Sequence, residues 1–183
     1  MNQNRSGLNT RDLALIGLLA ALMAICSWIS IPASVPFTLQ TFGVFIAVGL
    51  LGGKRGTLTI LVYLLLGCIG LPVFANFTGG VGILLGNTGG YLFGFLFSAA
   101  LMWIMEKLPL PETPRLGLSM TAGLLVCYLI GTLWFYRVYT AANGAVSIGM
   151  ILSWCVLPYI PFDAAKIALA LILTNRLKKR IPA

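Results

Sequence analysis

Six apolar stretches, at residues 13–30, 39–52, 56–72, 87–106, 116–136 and 147–177, alternate with short connections that are polar or rich in glycine and proline. Runs of this length with so few charges read as membrane-crossing helices. The pattern therefore predicts an all-α, six-transmembrane-helix protein, a single integral membrane domain over 1–183. The second and third stretches are short for a hydrocarbon layer of about 30 Å, so they must tilt or extend into their flanks. Asp12 stands where the first turn of the first helix begins, against the positive end of the helix dipole. Pro32 and Pro36 end that helix and leave 31–40 as a loop. In the last stretch Pro158 and Pro161 each lack an N–H and push the preceding residue out of helical geometry, which predicts a broken segment there.

Composition narrows the class. The chain has 183 residues, of which 59% are hydrophobic and 9% charged, with mean hydropathy +0.98. This is not the balance of a soluble domain. There is no His, and the acidic residues are Asp12, Glu106, Glu112 and Asp163, too few and too scattered for a zinc hydrolase or a paired-carboxylate mechanism. Cys26, Cys68, Cys127 and Cys155 lie singly in apolar stretches and read as small buried hydrophobes. The net charge of +8 would suggest nucleic acid only if it formed a patch on a soluble fold. Instead Arg5, Arg11, Lys54, Arg55, Lys107, Arg115, Arg176, Lys178, Lys179 and Arg180 fall on one side of the predicted spans and Arg137 on the other. By the positive-inside rule both termini are cytoplasmic in a multi-pass protein of the cell membrane. The loops at 31–40, 71–87 and 137–147 then face outward.

One ion-pair candidate lies within the apolar stretches. Asp163 and Lys166 are three residues apart, so a helix places them on one face about 4.5 Å apart along its axis. Lys166 lies about ten residues, or roughly 15 Å, inside the basic cluster that begins at Arg176, near the middle of the bilayer. A charge at that depth costs on the order of 2.5 to 3.5 kcal/mol and marks a functional site by default, the alternative being a structural ion pair. Broken helices beside buried charges are how transporters build binding sites.

Other features carry weaker signals. Seven glycines from Gly79 to Gly94 permit close backbone approach. Asn87 or Thr88 can cap the fourth helix, with Tyr91 one turn inside it and the helix N–H groups aimed at the cavity before it. Ala14, Gly17, Ala20, Ala21 and Ala24 form a small-residue stripe on the first helix, which suits close approach of another helix, either within this chain or from a partner. The turn at Gly53-Lys54 is not a phosphate-binding loop: Val48 stands where its first Gly belongs, and Arg55 where it needs Ser or Thr.

Across essentially its whole length the chain resembles the BioY family, the biotin-specific S components of energy-coupling-factor (ECF) vitamin transporters. The residues that carry the resemblance are Val35-Pro-Phe-Thr-Leu-Gln-Thr41, Gly53-Lys-Arg-Gly56, Gly70-Leu-Pro-Val-Phe74, Gly86-Asn-Thr-Gly-Gly-Tyr91 and Pro158 through Pro161 to Asp163 and Lys166. Family members often carry Pro where Asn87 stands and Gly where Phe162 stands, and the first departure bears on the role of Asn87. The resemblance implies the ECF S-component fold, a biotin site near the outer face, no cofactor, and coupling through a membrane T subunit to two cytosolic ATPase subunits. It further implies that the stripe on helix 1 contacts the T subunit.

For such a ligand Asp163 can accept from a ureido N–H, Lys166 can donate to the ureido carbonyl, and Asn87 can do either. Depth favours the neutral ring entering first. The rival pose pairs Lys166 with the tail carboxylate. Tyr91, Phe74, Phe77 and Trp134 are candidate walls for the apolar rings, and Phe37, Thr38 and Gln40 of loop 31–40 a candidate lid. A chain of this kind is not an enzyme. It either captures biotin outside and relies on partners to translocate it, or is a self-sufficient facilitator or small secondary transporter.

Overall fold

The computed structural model describes residues 8–33 and 35–179. Arg5 and Arg180, counted above for orientation, lie outside them. The described chain is all-helical apart from one small hairpin. Its elements are α1 (Thr10–Trp28), β1 (Ser30–Ile31), β2 (Phe37–Thr38), α2 (Gln40–Leu51), α3 (Gly53–Cys68), a 3-10 turn (Ala75–Phe77), α4 (Val81–Leu85), α5 (Gly89–Met105), α6 (Glu112–Asn143), α7 (Ile148–Cys155) and α8 (Ile160–Lys178). Among the described residues, α1 and α6 are each long and apolar enough to cross a membrane, and α7 with α8, bent by 44° at their break, make a third candidate span. The apolar helices α2 and α5 are shorter.

Local chemistry accounts for these boundaries. Asp12 completes a capping box at the start of α1: Asn9 accepts from the Asp12 N–H at 2.8 Å and its own N–H reaches Asp12 Oδ2 at 3.3 Å. Asp12 also pairs with Arg55 at 3.1 Å, tying α1 to the first turn of α3. Just before α3, Gly52 adopts φ 79°, a left-handed conformation that favours glycine. Proline acts as expected at the last segment, where the chain turns between Cys155 and Ile160 and Pro161 occupies the first turn of α8. α6 exceeds the apolar stretch that it contains and continues to Asn143 through what the polar composition marked as loop. Thr140 and Asn143 bond back to carbonyls of the preceding turn there, so polarity marks exposure and not the end of the helix.

The two ends of the bundle differ. At one, Glu106 accepts from the Gly53 N–H and Lys178 meets Glu112 at 2.6 Å, gathering the ends of α3, α5, α6 and α8. At the other, loops 29–39 and 69–88 fold over the helix ends. Trp28 Nε1 donates to the Pro72 carbonyl at 2.8 Å, and Ser30 Oγ to Asn76 Oδ1 at 2.8 Å. The core between is apolar, with Met23, Ala47, Ile60, Tyr63, Met120 and Ile151 fully buried.

Candidate functional site

The break before α8 sets Asp163 and Lys166 into the interior, 2% and 7% exposed. Lys166 Nζ lies 2.7 Å from Asp163 Oδ1, the one-turn pairing expected from their spacing. Neither side chain bonds only to the other. Asp163 Oδ1 also accepts from Thr41 Oγ1 at 2.9 Å, and its Oδ2 accepts from the Tyr128 hydroxyl. Lys166 also donates to the Thr38 carbonyl at 2.7 Å and sits 4.4 Å from the centre of the Phe37 ring. A carboxylate offers about four acceptor positions and an ammonium three donors. One acceptor position on Asp163 Oδ2 and one donor on Lys166 are left for a ligand, on a pair whose net charge is zero.

Loop 35–38 is anchored over this pair. The Tyr159 hydroxyl donates to the Val35 carbonyl, and Phe37 packs on Tyr159 and Phe162 with ring centroids 5.9 and 4.9 Å apart. Next to it Thr38 Oγ1 donates to Gln40 Oε1, Gln40 Nε2 to the Tyr63 hydroxyl, and Tyr63 to the Val73 carbonyl, at 2.9, 2.6 and 2.9 Å. Ser27 Oγ reaches the same carbonyl at 2.6 Å. This chain of hydrogen bonds joins the loop to α3, loop 69–88 and α1, with each buried polar group satisfied.

A cavity of about 210 Å³ opens beside the pair. Asp163, Lys166, Thr38, Gln40 and Thr41 stand on its polar side, and Phe74, Tyr91, Leu92, Phe95 and Tyr159 are among its apolar lining. Tyr91 reaches that wall because Gly131 of α6 has no side chain: a Cβ there would fall 2.2 Å from the Tyr91 ring. Its hydroxyl is held by Thr132 at 3.1 Å. The rim includes the exposed Asn76 and half-buried Thr78 and Thr88. An apolar slot with a few convergent polar groups is the form of a small-molecule site.

A family model described as the BioY family matches residues 1–183. The chain belongs to the BioY family. Among curated relatives, the biotin transporter BioY of Thermotoga maritima is 41% identical over 170 residues, covering 92% of this chain and 96% of its own. The probable biotin transporter BioY of Pyrococcus horikoshii is 38% identical over 172 residues, covering 93% and 98%. Among solved structures, the fold is similar to the S-component for biotin from an ECF-type ABC transporter, with TM-score 0.80, 27% identity and 98% and 95% coverage. The S component of a bacterial ECF transporter, at TM-score 0.56 and 17% identity, shares the fold.

Membership of BioY agrees with the resemblance carried by the motifs, but the structure distributes the expected residues unevenly. Asp163, Lys166, Thr38, Gln40, Phe74 and Tyr91 line one cavity, with Phe37 beneath Lys166. Four expected site residues do not line it, Phe37, Asn87, Phe77 and Trp134, of which only Phe37 touches the ion pair. Asn87 is exposed in the turn before α5 and does not cap that helix. Thr88 holds the cap position without a side-chain cap bond, although it does reach the cavity. Phe77 is 63% exposed, at φ 56°, and stacks on Trp28. Trp134 donates from Nε1 to the Gly86 carbonyl at 2.9 Å and so braces the loop from outside.

The stripe on α1 also divides. Ala14, Gly17 and Ala21 are exposed, whereas Ala20 and Ala24 are 2% and 5% exposed and pack inside this chain. Tyr128 and Thr41 are the partners that sequence reasoning missed as site residues. No spacing links them to Asp163, from which they are 35 and 122 residues away.

Proposed function

We propose that this chain is the biotin-binding S component of an ECF-type biotin uptake transporter, a transport subunit and not an enzyme. It captures biotin from the outer side, and a T subunit with two ATPase subunits energises translocation. The observation that carries this reading is the buried Asp163–Lys166 pair lining the cavity, with one acceptor position and one donor left unused. A cyclic urea presents N–H and C=O on neighbouring atoms, which matches that pair. The ureido N–H donates to Asp163 Oδ2, and Lys166 donates to the ureido oxygen. A carboxylate at Lys166 would lie against Asp163, and that like-charge repulsion favours the ring-first pose. The thioether ring and the aliphatic tail then run along Phe74, Leu92 and Phe95 towards the rim.

Six membrane crossings with both termini cytoplasmic fit the same reading. Arg55, paired with Asp12, and Lys178, paired with Glu112, lie at one end, where Glu106 also meets Gly53, and the loops that rim the cavity lie at the other. The exposed Ala14, Gly17 and Ala21 remain for the T subunit. Two measurements test the proposal. Calorimetry on the detergent-purified chain is expected to show biotin binding that Asp163→Asn and Lys166→Ala both weaken severely, and near-wild-type binding by both variants overturns the site. Reconstitution in liposomes then separates modes of transport. Biotin held but not accumulated by the chain alone supports a dependent S component, while accumulation without ATPase subunits supports a self-sufficient facilitator.

A further inference from the structure

Among the described residues Lys166 is the one cation lining the cavity, and Asp163, 2.7 Å away, already neutralises it. No Lys or Arg occurs from Asp12 to Gly53 or from Gly56 to Glu106, the segments that contain both loops around the mouth. Arg137, at the same end of the bundle, is exposed and does not line the cavity. Where a ligand tail emerges, the rim offers only amide and hydroxyl groups, those of Asn76, Thr78 and Thr88. Asn76 is exposed, so this end of the cavity is wet.

Resting on the ring-first pose proposed above, we infer that the site reads the bicyclic ureido head and leaves the charge on the tail unread. The ligand class then extends beyond the free acid to derivatives whose tail is a neutral amide, including ε-N-biotinyl-lysine, the fragment that complete proteolysis of a protein biotinylated on lysine releases. An amide keeps the carbonyl acceptor of the acid and adds an N–H, both of which hydroxyl and amide side chains or water can satisfy. It forfeits only an anion that no side chain of the cavity pairs. A lysine beyond the amide projects into solvent through the open rim.

The test is competition by biotinamide and by ε-N-biotinyl-lysine against radiolabelled biotin on the purified full chain. A site that paired a cation with the tail would lose on the order of 10- to 150-fold on amidation, the worth of a hydrogen bond to a charged group. Here both compounds are expected within about fivefold of biotin, the ceiling for a solvated ion pair. Biotin affinity is likewise expected to be flat across a salt titration, since a screened attraction to the tail would fade as salt rises. Tight binding of biotin with loss of either amide beyond that tenfold bound overturns this inference and leaves the proposed function standing. Failure to bind biotin itself overturns both.

Discussion

Replacing Asp163 by Asn tests the site most directly, because the change is nearly isosteric and its consequences can be followed atom by atom. In the wild type Asp163 Oδ1 receives Thr41 at 2.9 Å and Lys166 at 2.7 Å, while Oδ2 receives Tyr128. Asparagine can keep its carbonyl oxygen towards Thr41 and Lys166. Its amide then faces Tyr128, whose hydroxyl can turn to accept. The fold has a way to tolerate the substitution, but the ligand does not. The acceptor left for a ureido N–H becomes a donor, so donor meets donor, and Lys166, 7% exposed, loses its counter-charge. Losing a hydrogen bond to a charged group costs about 1.5–3 kcal/mol, and stripping one partner from a buried pair costs about 3–5 kcal/mol of stability.

Calorimetry on the solubilised variant should therefore show biotin binding weakened by at least about 100-fold, with a lowered melting temperature. A double variant, Asp163→Asn with Lys166→Met, removes the stranded charge. It should recover about 2 kcal/mol or more of stability relative to the sum of the single changes, while binding stays lost. Retention of biotin affinity within about threefold in Asp163→Asn, less than 1 kcal/mol of change, would refute the reasoning, since among the described residues no other carboxylate lines the cavity.

Other perturbations separate the parts of the site. Tyr128→Phe removes one of the three donors on Asp163 and should weaken biotin about tenfold in the same calorimetric assay, with little change in melting temperature. Tyr159→Phe keeps the ring against Phe37 but frees the Val35 carbonyl, so stopped-flow measurements should show biotin leaving several-fold faster, roughly 1 kcal/mol in the off-rate barrier. Gly131→Ala drives a Cβ to 2.2 Å from the Tyr91 ring and should cost about 1–3 kcal/mol in thermal stability, together with lost binding as the ring is pushed aside. Lys178→Ala breaks only the exposed pair with Glu112, so stability should move by less than about 1 kcal/mol and biotin affinity should not change.

Several of these features could be read directly from the sequence. Long uncharged runs have no stable alternative to helices in a bilayer, because each backbone polar group must be bonded within its own segment. The class of protein followed from hydropathy alone. The Asp163–Lys166 pair was legible for a related reason: charges are so costly among Ala, Leu and Ile that their presence is informative, and a spacing of three brings them together on any helix. The break ahead of them followed from the covalent geometry of proline.

Tertiary structure decided the rest. Hydroxyls such as those of Thr41 and Tyr128 are cheap enough to carry in an apolar helix that they announce nothing, and they acquire a role only when α2 and α6 pack against α8. Asn87 and Phe77 lie in turns, where side-chain direction is set by whatever packs around them, and Trp134 lies on α6, whose faces composition does not distinguish; none of the three lines the cavity. The small residues of α1 show the same limit. With lipid on one side and apolar protein on the other, hydrophobicity does not distinguish the faces, and only packing sorted buried Ala20 and Ala24 from exposed Ala14, Gly17 and Ala21. Composition and local geometry thus determined which elements exist and where a costly charge pair sits, because those depend on one segment and its solvent. The shape of the chamber around that pair depends on contacts between segments far apart in the chain, which only the folded arrangement specifies.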